Sequence, residues 1–200
     1  MEAGKHSYMA EATALLRAAH QVLDGEPKIL EDPLALSLLG SDTEQRIQAD
    51  LERMQRSYLR GARAFAVMRS RFTEDALAEA VGGGVQQYVI LGAGLDTFAY
   101  RNPFAEDDLT VFEIDHPDTQ RWKLDRLDAA GVKPPANVYY LPVDFEKQSL
   151  AEGLAAGGFD FAAPTFFSWL GVTYYLNMDA VLDTLRLVGD MAPSSQLVFD

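Results

Sequence analysis

The chain has 200 residues, 48% hydrophobic and 24% charged, with 17 Lys and Arg against 30 Asp and Glu and a formal charge of −13. That length suits one domain with a real core, and the acidity argues against a broad phosphate-binding surface, so nucleic acid is not an expected partner. The absence of Cys excludes disulfides and thiolate metal sites, no metal site and no signal peptide are expected, and no run approaches about 20 apolar residues, which predicts a cytoplasmic chain with no membrane contact.

The first eighty-odd residues read as helical. Tyr8–Asp24 is rich in Ala and Leu and stops before Gly25. Asp32 and Pro33 can open a short helix that ends at Gly40. The stretch from 42 to 70 carries good helix formers and many Arg. A further helix from 72 to 81 is expected, with Thr73 as its cap and Gly82–Gly84 as its stop.

The pattern then changes. Apolar runs at 88–91, 110–114, 138–143, 165–170 and 196–199 read as five strands. Helices are expected between them, from Pro117 to about Ala130, from Ser149 to Ala156, and from Met178 to Met191 with Asn177 as cap. Strands alternating with helices predict a parallel sheet. The fold class is α/β: a Rossmann-like, doubly wound, mainly parallel sheet with an N-terminal helical extension. The extension, expected to serve as a lid, covers residues 1–84 and the cofactor-binding core 85–200, within one structural domain overall. The chain stops at Asp200, at the end of the fifth predicted strand, where another element would normally follow.

The centre of the pattern is Gln87–Arg101, QYVILGAGLDTFAYR. Gly92 and Gly94 permit backbone angles and a close approach that a Cβ would forbid. Asp96 and Thr97 then fall where a helix N-terminus would expose unpaired N–H groups. This is how a nucleotide-like ligand is seated in an open parallel sheet. A dinucleotide fingerprint needs a third Gly, however, and Thr97 stands there, while Asp96 adds negative charge where pyrophosphate would sit.

Two carboxylates narrow the ligand. Asp115 ends the second predicted strand, 23 residues past Gly92, where an acid accepts from both ribose hydroxyls. A solvated carboxylate at a strand end is the competing explanation, and the glycine loop favours the ribose. Asp144 and Phe145 end the third strand, and an Asp followed by an aromatic suits an adenine. Here a helix-capping Asp competes strongly. Phe166 and Phe167 are read as core. Together these residues describe an adenosine without pyrophosphate, and S-adenosylmethionine fits that description, its sulfonium being suited to an acidic cleft.

The motifs RSRFTEDAL (69–77), YVILGAGLDTFAYR (88–101), FEIDHPDTQRWK (112–123), YYLPVDFE (139–146) and FFSWLGVTYYL (166–176) occur in order across most of the chain. In them the sequence resembles the class I S-adenosylmethionine-dependent methyltransferases, and among these the leucine carboxyl methyltransferase-like group with its bacterial secondary-metabolism members. The resemblance implies that Gly92, Ala93 and Gly94 line the methionine and ribose portion, that Asp115 binds the ribose, and that Asp144 and Phe145 hold the adenine. It implies an Arg in the helix before the first strand for the cofactor's carboxylate; Arg71 is the first choice and Arg69 the second, a guanidinium matching a carboxylate bidentately. Leu170 stands where many relatives carry a Glu that contacts the cofactor's polar tail. The resemblance also implies a helix and an antiparallel hairpin beyond the fifth strand.

The expected activity is O-methylation of a carboxylate or hydroxyl on a small molecule. A carboxylate acceptor needs no base, whereas a hydroxyl does. His6, His20, His116, Tyr174 and Tyr175 are the candidates, each with a structural explanation, and no catalytic residue is assigned. A non-catalytic cofactor-binding module and a nucleotide-dependent oxidoreductase are the alternatives. Sequence leaves the acceptor and the oligomeric state open.

Overall fold

A computed structural model describes residues 7–144 and 148–200 of the chain. Eight helices and five strands are formed among them. The N-terminal helices are α1 (Tyr8–Leu23), α2 (Leu34–Leu39), α3 (Thr43–Ala49), α4 (Leu51–Met54) and α5 (Ser57–Gly82). Then come β1 (Gln87–Leu91), β2 (Thr110–Asp115), α6 (Pro117–Ala129), β3 (Val138–Pro142), α7 (Leu150–Ala156), β4 (Thr165–Trp169), α8 (Met178–Gly189) and β5 (Gln196–Phe199).

The five strands make one parallel sheet in the order β3-β2-β1-β4-β5. Every residue of β1 and of β4 is buried, as central strands covered on both faces must be. Alternation sorts their side chains. Tyr88, Ile90, Val111 and Phe166 pack toward Leu77 and Ala80 of α5. Val89, Leu91, Phe112, Phe167 and Trp169 pack the other way, with Leu150 and Leu154 of α7 and with Val181 and Leu185 of α8. Phe166 and Phe167 are thus core, as the sequence predicts.

The ends of the elements have local causes. Ser7 caps α1 through its hydroxyl, which accepts from the Ala10 N–H. Ser149 and Glu152 form a capping box at the start of α7. Asn177 caps α8. Asp32 Oδ1 accepts from the Ala35 N–H in the first turn of α2.

Two expectations are corrected here. No helix begins at Thr73, because α5 runs unbroken through it. The Thr73 hydroxyl instead donates to the Arg69 carbonyl one turn back. Nor does a helix begin at Asp96 and Thr97. The chain makes only a 3₁₀ turn at Phe98–Tyr100, where Asp96 Oδ1 accepts from the Phe98 N–H at 2.8 Å. A short acceptor at that point closes the turn before an α-helix can develop.

Candidate functional site

The strand order reverses between β1 and β4, and in open α/β sheets the crevice at the carboxyl ends of the strands there is the usual ligand site. A cavity of about 660 Å³ opens at that place. Its floor is the loop Gly92–Asp96. Asp115, His116 and Asp144 form one wall, Leu170–Val172 with Tyr174–Leu176 another, and Ser7–Ala10 with Arg17 of α1 the roof.

The floor loop is held from beneath. The Gly92 and Ala93 N–H groups both donate to the Ile114 carbonyl of β2, at 2.8 and 3.0 Å. Gly92 has φ +68° and Gly94 φ +46°, both left-handed. A Cβ on Gly92 would collide with Val172, and one on Gly94 would stand 2.9 Å from the Ala10 Cβ. The two glycines therefore let the turn after β4 and helix α1 close directly onto the loop, which adds a second reason for them besides ligand approach.

Asp115 is fixed by two backbone donors. Its Oδ2 accepts from the Gly94 N–H at 2.5 Å and its Oδ1 from the His116 N–H at 2.7 Å. An ionised carboxylate has about four acceptor sites, so two remain for a ligand's hydroxyls. Burial pushes the carboxyl above its ordinary range, partly countered by those two N–H groups. His116 accepts at Nδ1 from the Asp118 N–H, which leaves its other nitrogen facing Asp144 Oδ2 at 3.7 Å.

Most of the residues singled out from the sequence converge. Gly92, Ala93, Gly94, Asp115, Asp144 and Leu170 all line the cavity. Phe145 and His6 lie outside the described residues. Arg71 does not converge. It is exposed, its Nε donates to both oxygens of Asp75 at 2.8 and 2.9 Å, and it lines a separate pocket with Glu74 and Arg101. The second choice, Arg69, faces the cavity. The reason is helical phase: two residues apart on one α-helix is about 200°, nearly opposite faces.

Arg69 is largely buried and donates through Nη1 to Asp200 Oδ2 at 2.8 Å, with its guanidinium 5.5 Å from the Phe65 ring centre. Arg17 is bound up elsewhere, donating to Asp32 Oδ2 at 2.9 Å and to the Leu95 carbonyl. His20 is buried against Asp24 and is not part of the cavity. A lid is expected of the N-terminal extension, but its roof residues Ser7, Tyr8 and Ala10 are not singled out by the sequence. The Ser7 cap marks where α1 starts, but nothing local reports that this end folds over the sheet.

Glu113 points away from the cavity. It pairs with Lys123 of α6 at 2.7 Å, both side chains 1% exposed, and accepts from the Tyr100 hydroxyl, which meets that of Tyr140. Glu113 Oε1 has no hydrogen-bond partner among the described residues.

The sequence profile of the family described as leucine carboxyl methyltransferase matches residues 10–189. A protein of Bacillus subtilis (strain 168), provisionally named an S-adenosyl-L-methionine-dependent methyltransferase, is 35% identical over 167 residues, covering 82% of this chain and 55% of its own length. One of Mycolicibacterium gilvum with the same provisional name is 34% identical over 189 residues, covering 93% and 56%. The chain thus spans about half the length of these curated relatives. Among solved structures, a provisionally named methyltransferase from Thermobifida fusca superposes with a TM-score of 0.54 at 18% identity, over 99% of this chain and 67% of its own, a likeness of fold.

Proposed function

The chain belongs to the leucine carboxyl methyltransferase family, and from that premise we propose that it binds S-adenosylmethionine in the cavity above Gly92–Gly94 and transfers its methyl group to an oxygen of a small molecule. The observation that carries this is Asp115: a carboxylate at the tip of β2, tied to the Gly94 N–H and facing the cavity. The chemistry of the lining fits the cofactor. Asp96, Asp115 and Asp144 suit ribose, an adenine amine and a cation, and repel phosphates. The 3₁₀ turn offers no helix N-terminus for a pyrophosphate, and the Thr97 hydroxyl is occupied by Arg101 Nε at 3.0 Å, which disfavours a dinucleotide.

In this reading Asp115 accepts from the ribose hydroxyls, Asp144 holds the adenine edge, and Arg69 pairs with the carboxylate of the amino-acid tail. Leu170 lies beside that tail and contributes only apolar contact. The cofactor, held by Asp115, Asp144 and Arg69, would supply a sulfonium-activated methyl, which would pass to the acceptor oxygen as the S–C bond breaks and a neutral thioether leaves. The chain's part is to orient the acceptor in line and exclude water. Tyr8, Met9, Tyr174 and Tyr175 give the free end of the cavity an apolar, aromatic surface. Arg17 is committed to Asp32, and Arg69 is assigned to the cofactor, so a ring-bearing acceptor of low charge fits best there. No described side chain is assigned as a general base, so a hydroxyl acceptor reacts as its oxyanion, its proton given up to solvent, and placement in line does the rest.

Calorimetry with S-adenosylhomocysteine and with NAD tests the reading. S-adenosylhomocysteine is expected to bind and NAD not to. Asp115→Ala should weaken the former by about 1–3 kcal/mol, the scale for a lost charged acceptor. Binding of NAD alone would overturn the proposal.

A further inference from the structure

Beyond the cofactor contacts, one group near the cavity is built with more care than its position requires. Asp200 follows the last residue of β5 and has no place in the cavity lining, yet it joins three elements. Its Oδ2 accepts from Arg69 of α5 at 2.8 Å, and its Oδ1 accepts from the Gly171 N–H at 2.5 Å. Its backbone carbonyl accepts from the Thr173 hydroxyl at 2.5 Å. The Arg69–Asp200 pair is largely shielded, with side chains 14% and 22% exposed. On the other side, a Cβ on Gly171 would stand 2.9 Å from both terminal nitrogens of Arg69, so the guanidinium lies flush against the turn that walls the cavity.

We propose that Asp200 is a positioning residue that holds the Arg69 guanidinium against the cavity wall, ready for the carboxylate of the bound cofactor's amino-acid tail. This inference rests on the cofactor reading above. The geometry has a simple logic. A long Arg side chain loses rotamer freedom when it orders, and a ligand that must order it binds more weakly. Asp200 engages Nη1, and Phe65 lies 5.5 Å from the guanidinium carbon. The other guanidinium N–H groups have no acceptor among the described residues. Their fork is therefore open to a planar carboxylate while the arm is already fixed. The same carboxylate fixes the Gly171 amide, so Arg69 and the wall beside Leu170 are set by one group. Asp200 touches no ligand in this account; it acts through Arg69.

The test compares two ligands that share the adenosine but differ in the tail. S-adenosylhomocysteine carries the amino-acid carboxylate and methylthioadenosine lacks it. Asp200→Asn should weaken S-adenosylhomocysteine roughly tenfold, the size of one charge-assisted hydrogen bond, and leave methylthioadenosine unchanged. Arg69→Ala should show the same selectivity, and in that background Asp200→Asn should add nothing, since a residue that acts through another is silent once the other is gone. Equal weakening of both ligands would reduce Asp200 to a general structural role and overturn the inference. So would tighter S-adenosylhomocysteine binding, which would make Asp200 a competitor for Arg69, or additive effects of the two substitutions, which would put Asp200 in direct contact with the tail. If the unaltered chain binds neither ligand, the cofactor reading itself fails, and this inference with it.

Discussion

Asp115 is the residue on which the proposed site depends, and its surroundings make a pH prediction. Burial raises its carboxyl above the ordinary Asp value of about 4, while the Gly94 and His116 N–H groups favour the ionised form and limit the rise. A ribose is bound by the ionised carboxylate as acceptor. Affinity for S-adenosylhomocysteine should therefore fall as pH drops through that raised value, at a higher pH than a solvated Asp would cause. Calorimetry between pH 7.5 and about 4.5 reads it, and the decline should vanish in Asp115→Asn, which has no proton to gain. Of the site residues, those at strand tips were legible from the sequence because a strand end next to a glycine loop has few places to go. Arg69 was not separable from Arg71 without the phase of α5, and that phase depends on packing against α1 and the sheet. Asp200 carried no signal, because the partners of its side chain are 29 and 131 residues away.

At the scale of elements, the parallel sheet was readable because buried strands announce themselves as short apolar runs between glycine and proline stops. The five strands fall where the sequence places them, within a residue at their ends. The misreadings share a cause. Thr73 and the Asp96–Thr97 pair look like helix starts, and the local rule is sound, but tertiary packing carried α5 through the first and a side-chain-to-backbone bond tightened the second into a 3₁₀ turn. The buried pair of Glu113 on β2 and Lys123 on α6 is another element-level feature that periodicity hides. It docks α6 on the sheet at a high desolvation cost. Lys123→Met alone should destabilise the chain by about 3–5 kcal/mol, since it strands a buried carboxylate. Adding Glu113→Gln should recover most of that, because Gln keeps an acceptor for Tyr100 and removes the charge. Denaturant melts of both variants check this.

Across the whole molecule, a chain of charges binds the N-terminal helices to the sheet. Arg17 of α1 and Arg101, just after the 3₁₀ turn, both face Asp32, and Arg101 continues to Glu74 of α5. Burial opposes the ionisation of Asp32, yet the two guanidiniums outweigh it and hold its carboxyl below the usual range. Its contribution to stability is complete above the unfolded value of about 4 and is lost as pH falls through the lower folded value. Glu74 runs the other way: burial raises its carboxyl and outweighs the pull of Arg101, so it is not the source of an acid-side loss. Thermal melts from pH 7 to 3 should show steep destabilisation at the acid end. Asp32→Asn should lower the melt at pH 7, at a cost of about 3–5 kcal/mol for breaking a buried pair, and make the acid end shallower. None of the described helices is long and apolar enough to cross a membrane.

The contact between Gly92 and Val172 has a further consequence, for how this protein can change over generations. A methyl at position 92 is barred twice, by the left-handed backbone there and by Val172 standing in its place. Trimming position 172 to Ala lifts the second bar but not the first, which costs about 1–2 kcal/mol for any residue with a Cβ. The two positions are thus linked in descent, although 80 residues of chain separate them. Drift at 172 can open the way for drift at 92 only in part, and a lineage that loses the glycine must first have rebuilt the turn after β4.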